Sequence, residues 1–333
     1  MKRYLIPLSL LILVLLIVFS TFANERSPVE ILSDAWDAEG KISFVATETS
    51  GMYIRGRLNV TVSKVFALAT GKFRREYLFP SFLAGDLLID DGHSSYYYQP
   101  NKGLVTIGPS LYDLPYRDIH SKLLELILKN YDVSSQPDKF LGRDVTKVYI
   151  SPKNSKNVLL VFWIDNQTNL ILKRERYSSD GKLQEYSFYT DIDFSTVTNE
   201  RLFVWVKPGR DFRILERRER FIPLEKSKRK DVILVKLSPL QEKGYECISI
   251  KEVPGGIAYH FSDGINNIMF FDLQDLPSMP PSVRKVTTDG IRYSYWQFDG
   301  MSGFAWSYDR KNFLIIGVVE RDIIEKIIKG FKY

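Results

Sequence analysis

Asp191 and Asp193 stand two residues apart in Thr190-Asp191-Ile192-Asp193. On a β-strand both side chains leave the same face, and a carboxylate pair of that kind could share acid–base work. Nothing near them in sequence completes such a site, so the pair reads as a solvated strand face. Asp90-Asp91-Gly92-His93 offers oxygen and nitrogen donors, but a hard-cation loop needs several oxygen ligands at alternating positions. The segment reads instead as a turn. Cys247 is the single cysteine, which rules out an intrachain disulfide and a Cys-based metal cluster. With no histidine near it, it reads as a small buried apolar residue. His93, His120 and His260 are far apart and show no ligand spacing. No nucleophile elbow, phosphate loop, dinucleotide fingerprint or zinc-protease helix occurs. The expectation is a protein that is not an enzyme and uses no cofactor or metal.

Two other groups of residues suggest binding. From Lys207 to Lys230 there are ten Lys/Arg and four Asp/Glu, a difference of +6 that equals the net charge of the whole chain. Such a run is either a solvated connector or a docking strip for an acidic partner or anionic head groups. Arg213, Arg217, Arg218, Arg220, Lys228 and Arg229 are the candidate partner contacts. Basic residues and aromatics interleave over Phe212–Phe221, a pattern that could hold phosphate, but an exported protein does not ordinarily meet nucleic acid. The second group is aromatic and aliphatic: Phe44, Leu58, Val60, Phe73, Tyr77, Phe79, Tyr97, Trp163 and Phe188. These either fill a core or line an apolar cavity that a curved sheet leaves open, and such a cavity would take acyl chains.

The 333 residues suggest about two domains. With 44% hydrophobic and 26% charged residues, wholesale disorder and a polytopic membrane protein are excluded. The 14% aromatic content leans toward β structure. Lys2 and Arg3 precede an apolar run from Tyr4 to Phe22, and Thr21-Phe22-Ala23 gives small residues at a natural cleavage point. This is a secretory signal over residues 1–23, or, because the run nears bilayer-spanning length, an uncleaved anchor. Either way the folded part lies outside the cytoplasm, periplasmic or otherwise extracytoplasmic. No cysteine stands near the end of the run, which excludes lipoprotein processing.

Ser27-Pro28-Val29-Glu30 opens a helix with a capping box and proline at its first position. From Lys41 the period falls to two: Ile54, Leu58, Val60 and Val62 alternate with Arg55, Arg57, Asn59 and Thr61, as in a strand with one dry face. A second helix is expected around Ile119, Leu123 and Ile127. Strands then resume over Val145–Ile150, Val158–Ile164, Leu170–Tyr177 and Lys182–Asp193, joined by turns too short for parallel crossovers. The expected layout is an antiparallel, strongly curved sheet or partial barrel over 24–206 with helices on its concave face. A connector follows at 207–230, then a smaller unit over 231–333. Its strands are expected at Ile257–Ser262, Asn267–Asp272, Ile291–Phe298, Gly303–Tyr308 and Phe313–Val319, and it closes with a helix striped by Ile323, Ile324, Ile327, Ile328 and Phe331.

Several segments, in this order, resemble a known family. They are Lys72-Phe73-Arg74-Arg75-Glu76-Tyr77-Leu78-Phe79-Pro80, Asp91-Gly92 and Tyr96-Tyr97-Tyr98-Gln99-Pro100. There follow Leu141-Gly142-Arg143-Asp144-Val145, Ile150-Ser151-Pro152-Lys153, Phe162-Trp163-Ile164-Asp165 and Tyr186-Ser187-Phe188-Tyr189-Thr190-Asp191-Ile192-Asp193-Phe194. The order and spacing are similar to those of the LolA-like superfamily. Tyr259-His260-Phe261-Ser262-Asp263-Gly264, with the strand at Phe313–Val319 and the last helix, resembles the added C-terminal domain of its RseB/MucB type. The resemblance implies an α+β, mainly antiparallel β fold: a LolA-like unclosed β-barrel with covering helices, plus a smaller C-terminal α/β domain. It also implies a regulator that binds the periplasmic part of a membrane-spanning anti-sigma factor and senses lipid, with no catalytic residues. The alternative within the superfamily is a carrier of lipid or lipoprotein acyl chains in the cell envelope.

Overall fold

The computed structural model describes residues 26–112, 114–153, 155, 157–195, 199–207, 209, 212–217, 220–222, 230–280, 282–298 and 301–332. The signal or anchor segment lies outside them. Helix α1 (Pro28–Ala38) starts where the capping box places it: Glu30 N donates to Ser27 Oγ at 3.2 Å and Ser27 N donates to Glu30 Oε2 at 2.8 Å. Its buried residues Ile31, Leu32, Ala35 and Ala38 recur at helical spacing and give it one dry face. Six strands follow: β1 (Phe44–Ile54), β2 (Arg57–Ala67), β3 (Phe73–Phe79), β4 (Leu87–Asp90), β5 (Ser94–Gln99) and β6 (Leu104–Pro109). After helix α2 (Leu114–Asn130) come β7 (Tyr131–Phe140), β8 (Arg143–Pro152), β9 (Leu160–Asp165), β10 (Ile171–Tyr177) and β11 (Leu183–Asp193). The remaining strand of this sheet, β12 (Arg213–Glu216), lies in the basic stretch.

These strands form one 12-stranded sheet in the order β12-β6-β5-β4-β3-β2-β1-β11-β10-β9-β8-β7. Apart from β12, each wing is a run of hairpins, and the wings join where β1 pairs antiparallel with β11. The end strands β12 and β7 do not meet, so the sheet is unclosed. β6 and β7 lie near opposite ends of the row, so the chain must cross the sheet between them, and it crosses as α2. Both helices pack toward the β7–β9 wing. Ile31, Leu32 and Ala35 of α1 and Ile127 of α2 bury Val148, Ile150, Phe162 and Ile164. The β2–β6 wing has less helix over its inner face, and a hollow is left there.

The second half of the chain forms an 8-stranded sheet, β13-β14-β15-β16-β20-β19-β18-β17, with antiparallel pairs throughout. Its strands are β13 (Arg220–Phe221), β14 (Glu246–Val253), β15 (Gly256–Ser262), β16 (Asn267–Leu273), β17 (Arg284–Thr288), β18 (Ile291–Phe298), β19 (Met301–Tyr308) and β20 (Lys311–Gly317). Helices α3 (Lys230–Lys236), α4 (Ser238–Gln241) and α5 (Arg321–Lys332), with Leu237 between the first two, contribute Ile233, Leu237, Leu240, Ile324, Ile328 and Phe331 to a core with Tyr259, Phe270, Trp306 and Phe313. All five apolar positions expected to stripe the last helix are buried.

The β15–β16 turn joins the two halves. Ile265 is buried in the same cluster as Ile31, Leu32 and Ile127. Asn130, the last residue of α2, donates its side-chain amide to Gly244 O at 3.0 Å and Asp263 O at 2.8 Å. Lys122 and Lys129 of α2 reach Glu246 at 3.1 and 2.7 Å.

Candidate binding site

The hollow over the β1–β4 region has a volume of about 720 Å³. Strand alternation puts Phe44, Phe73, Ala67 and Leu88 on its wall. Leu111, Phe162, Leu170 and Ile171 close it from the sides, and Met52 and Ile54 edge its mouth. It is not uniformly apolar. Glu48 and Arg75 also line it and form an ion pair across β1 and β3. Burial alone would lower the Arg75 pKa, but the Glu48 carboxylate together with the Tyr77 and Tyr189 hydroxyls outweighs that and holds it above its ordinary value. Loss of hydration pushes the Tyr189 and Tyr112 hydroxyls well up. At the rim Arg174 donates to Glu185 at 2.7 Å. Leu88 and Leu111 are shared with a second hollow of about 310 Å³ lined by Tyr77, Tyr97, Thr106 and Arg217. There Tyr97 Oη donates to Asp86 at 2.8 Å. The two hollows make one trough with apolar walls, internal hydrogen-bonding groups and an arginine at one end. Such a lining suits an extended chain that carries both apolar and polar groups.

Of the residues singled out from the sequence, Phe44 and Phe73 line the larger hollow and Tyr77 and Tyr97 the smaller one. Leu58, Val60, Phe79, Trp163 and Phe188 line neither. Trp163 is buried on the face of β9 opposite Phe162. Its register partners Lys147 and Lys173 hold their ammonium groups 4.5 and 4.2 Å from the ring centroid, and its indole N–H donates to Asp138 at 3.0 Å. Phe188 stacks on Tyr186, and the alternation of β11 sets it opposite the trough-lining Ser187 and Tyr189. Leu58 and Phe79 are largely exposed. Sequence reasoning missed Arg75, Phe162 and Tyr189. Each stands in a strand beside a residue that was chosen: Arg75 lies between Phe73 and Tyr77 with the same alternation, and Phe162 and Tyr189 are the neighbours of Trp163 and Phe188.

The residues considered for chemistry hold the backbone in place. Asp191 accepts from Thr47 N at 2.7 Å and Thr47 Oγ1 at 3.2 Å, and Asp193 accepts from Ser195 N at 2.7 Å. Asp90, fully buried, accepts from Gly92 N, Ser110 Oγ and Leu111 N. Cys247 Sγ donates to Ser249 O at 3.7 Å. Among the described residues no group of three or more His, Cys, Asp or Glu could hold a metal ion.

Residues Arg213–Glu216 of the basic stretch lie against the sheet. β12 pairs parallel with β6, and Arg217 N donates to Ile107 O at 2.7 Å. Ahead of it Trp205 stacks on Tyr96 at 4.8 Å and Phe212 packs tilted against Tyr98 at 5.0 Å. Arg213 and Arg217 are exposed, and Arg217 reaches the smaller hollow. Arg220 is paired through the backbone with Glu252. Arg218, Lys228 and Arg229 lie outside the described residues.

The family model of the MucB/RseB N-terminal domain matches residues 88–206, which include Leu88, Tyr97, Thr106 and Leu111 of the smaller hollow and the β7–β11 wing. The chain resembles MucB and RseB. Two solved structures share its fold at 14% identity, each covering 90% of this chain and 96% of the other: the MucA/MucB complex of Pseudomonas aeruginosa, with a TM-score of 0.51, and MucB in complex with MucA(peri), with a TM-score of 0.52. The MucB-like fold therefore extends past the matched domain into the 8-stranded half. No curated protein matches the chain.

Proposed function

We propose that this protein is an extracytoplasmic, non-enzymatic binding protein that holds the periplasmic part of a membrane-anchored anti-sigma factor or a similar envelope protein. One observation carries the reading: a MucB-like fold across both sheets, of the kind solved in complex with MucA(peri). The basic-then-apolar start of the chain supports export. The structural hydrogen bonds that occupy Asp90, Asp191 and Asp193 support a binder rather than a catalyst. The exposed Arg213 and Arg217 would meet an acidic segment of the partner at the open edge of the 12-stranded sheet. Pull-down with the full chain from envelope extract is expected to recover one single-pass membrane protein. Repeated recovery of soluble proteins alone would reject the proposal.

The trough favours a second reading, a lipid or lipoprotein carrier, because Phe44, Phe73, Leu88 and Leu111 give it apolar walls. Native mass spectrometry of the purified protein would then show bound acyl species. A spectrum with only the bare chain, with or without added fatty acid, would remove this reading and leave the first intact.

A further inference from the structure

The β1–β2 hairpin reaches past its neighbours. β1 pairs with β11 only as far as Met52 opposite Glu185, and β2 meets β3 only from Val62 opposite Phe79. The two hairpin strands stay paired with each other out to Ile54 opposite Arg57. Arg55 and Gly56 close the turn with φ of 51° and 73°, the two left-handed residues that a two-residue hairpin turn needs.

The tip is apolar on both sides. Met52, Tyr53, Ile54 and Leu58 are 46, 38, 41 and 43% exposed. Met52 and Ile54 leave one face at the trough mouth. Tyr53 and Leu58 oppose each other in register and leave the other face. At the same end of the sheet Phe79 and Phe82 are 52 and 70% exposed. The charge at the tip is of one sign: Arg55 stands in the turn and Arg57 beside it, and from Thr49 to Val62 the chain has no Asp or Glu. A folded protein partner covers one face of a projecting hairpin and leaves the other wet. A fluid interface closes around both, and its anionic head groups complement the arginines.

We propose that this tip dips into the head-group layer of an anionic phospholipid membrane, with Met52, Tyr53, Ile54 and Leu58 at the acyl boundary and Arg55 and Arg57 among the phosphates. Insertion is shallow. Arg57–Thr61 has no strand partner on the β3 side among the described residues, and backbone groups there must keep their water. The proposal stands whether or not the partner is an anti-sigma factor.

The test uses the full chain carrying Cys247→Ser, with a nitroxide on Ile54→Cys at the tip or on Thr70→Cys in the β2–β3 turn at the opposite end of the sheet. Depth is read by oxygen and nickel accessibility on vesicles of phosphatidylethanolamine with phosphatidylglycerol, and on phosphatidylcholine alone. The label at 54 is expected to move from water to the head-group boundary on anionic vesicles only, while the label at 70 stays aqueous. Arg55→Glu with Arg57→Glu should return the label at 54 to water. High salt should do the same without any substitution, which keeps the test decisive if that double variant folds poorly. The readout is local, so attachment through residues 4–22 cannot imitate it. A label at 54 that stays in water on anionic vesicles, penetrates both lipid mixtures equally, or becomes shielded only when an envelope protein is added would overturn the proposal.

Discussion

The two sheets solve the same packing problem differently. In the 8-stranded half three helices cover one face, and aromatic rings fill the space between. Phe331 lies 4.4 Å from Phe313 and 6.0 Å from Phe270, and Trp306 packs edge-on against Phe331 at 5.6 Å. In the 12-stranded half the helices cover the β7–β9 wing, and the β1–β6 wing keeps a hollow with an ion pair inside. Protein interiors normally reach crystal-like density. An inner face left open therefore forfeits stability that a bound segment or ligand would supply. The closed half is the platform, and the open half has the surface left to be covered.

The sharpest way to break that contrast is to damage the platform. Phe270→Ala, at a fully buried position among Tyr259, Trp306, Phe313 and Phe331, is expected to cost about 3–5 kcal/mol, measured by urea unfolding. A cost below about 1 kcal/mol would show that the second half is as loosely packed as the first. The join between the halves comes next. Gly264 has φ +106°, and a β-carbon there would meet Ile127 N at 2.6 Å. Gly264→Ala is expected to cost up to about 3 kcal/mol and to part the two halves, so that calorimetry shows two transitions. One unshifted transition would mean that the turn is not what holds them.

The third effect is smaller and depends on pH. Asp165 is fully buried and accepts from Arg143 Nε at 2.6 Å, Arg143 Nη2 at 3.0 Å and Thr168 N at 2.9 Å. Burial alone would raise its carboxyl, but these hydrogen bonds outweigh it and hold the carboxyl below its ordinary value. A carboxylate with a lowered folded value stabilises above its unfolded value, about 3.9, and that stability is lost as pH falls through the folded value. Asp165→Asn is therefore expected to cost about 2 kcal/mol near neutrality, with the two proteins converging in strong acid. A constant difference down to low pH would refute the assignment.

The strands that alternate cleanly were legible in the sequence, and so were the capping box at Ser27 and the apolar stripe of α5. β7 was not. It carries Pro137 and the polar series Asp132, Ser134, Gln136 and Asp138, which leave no apolar alternation to mark a strand; it is the end strand of the sheet, where proline is tolerated. β12 was hidden because its partner β6 is remote in sequence and its residues are charged. The trough was half legible. Alternation sorts residues into two faces without saying which faces inward, and register shifts after Thr47 and Val62 change the phase along a strand. Phe44, Phe73, Tyr77 and Tyr97 fell on the lined side, and Trp163 and Phe188 on the other.

The smallest expected effect tests the comparison most finely. Phe73 is half-buried on the trough wall, its ring 5.4 Å from the Arg75 guanidinium carbon. Removing it widens a space that already exists, so no new sealed cavity forms and little neighbouring packing is lost. Phe73→Ala is expected to cost no more than about 1.5 kcal/mol, against the larger cost of Phe270→Ala for the same change of side chain. The two variants should also differ in kind. Phe270→Ala lowers the melting temperature and leaves partner or acyl binding per folded molecule unchanged. Phe73→Ala leaves melting nearly unchanged, weakens that binding, and reduces the thermal shift the ligand produces. If Phe73→Ala instead unfolds the protein as readily as Phe270→Ala, with no change in binding by the folded fraction, the hollow is ordinary core under another name and the division between platform and open surface fails.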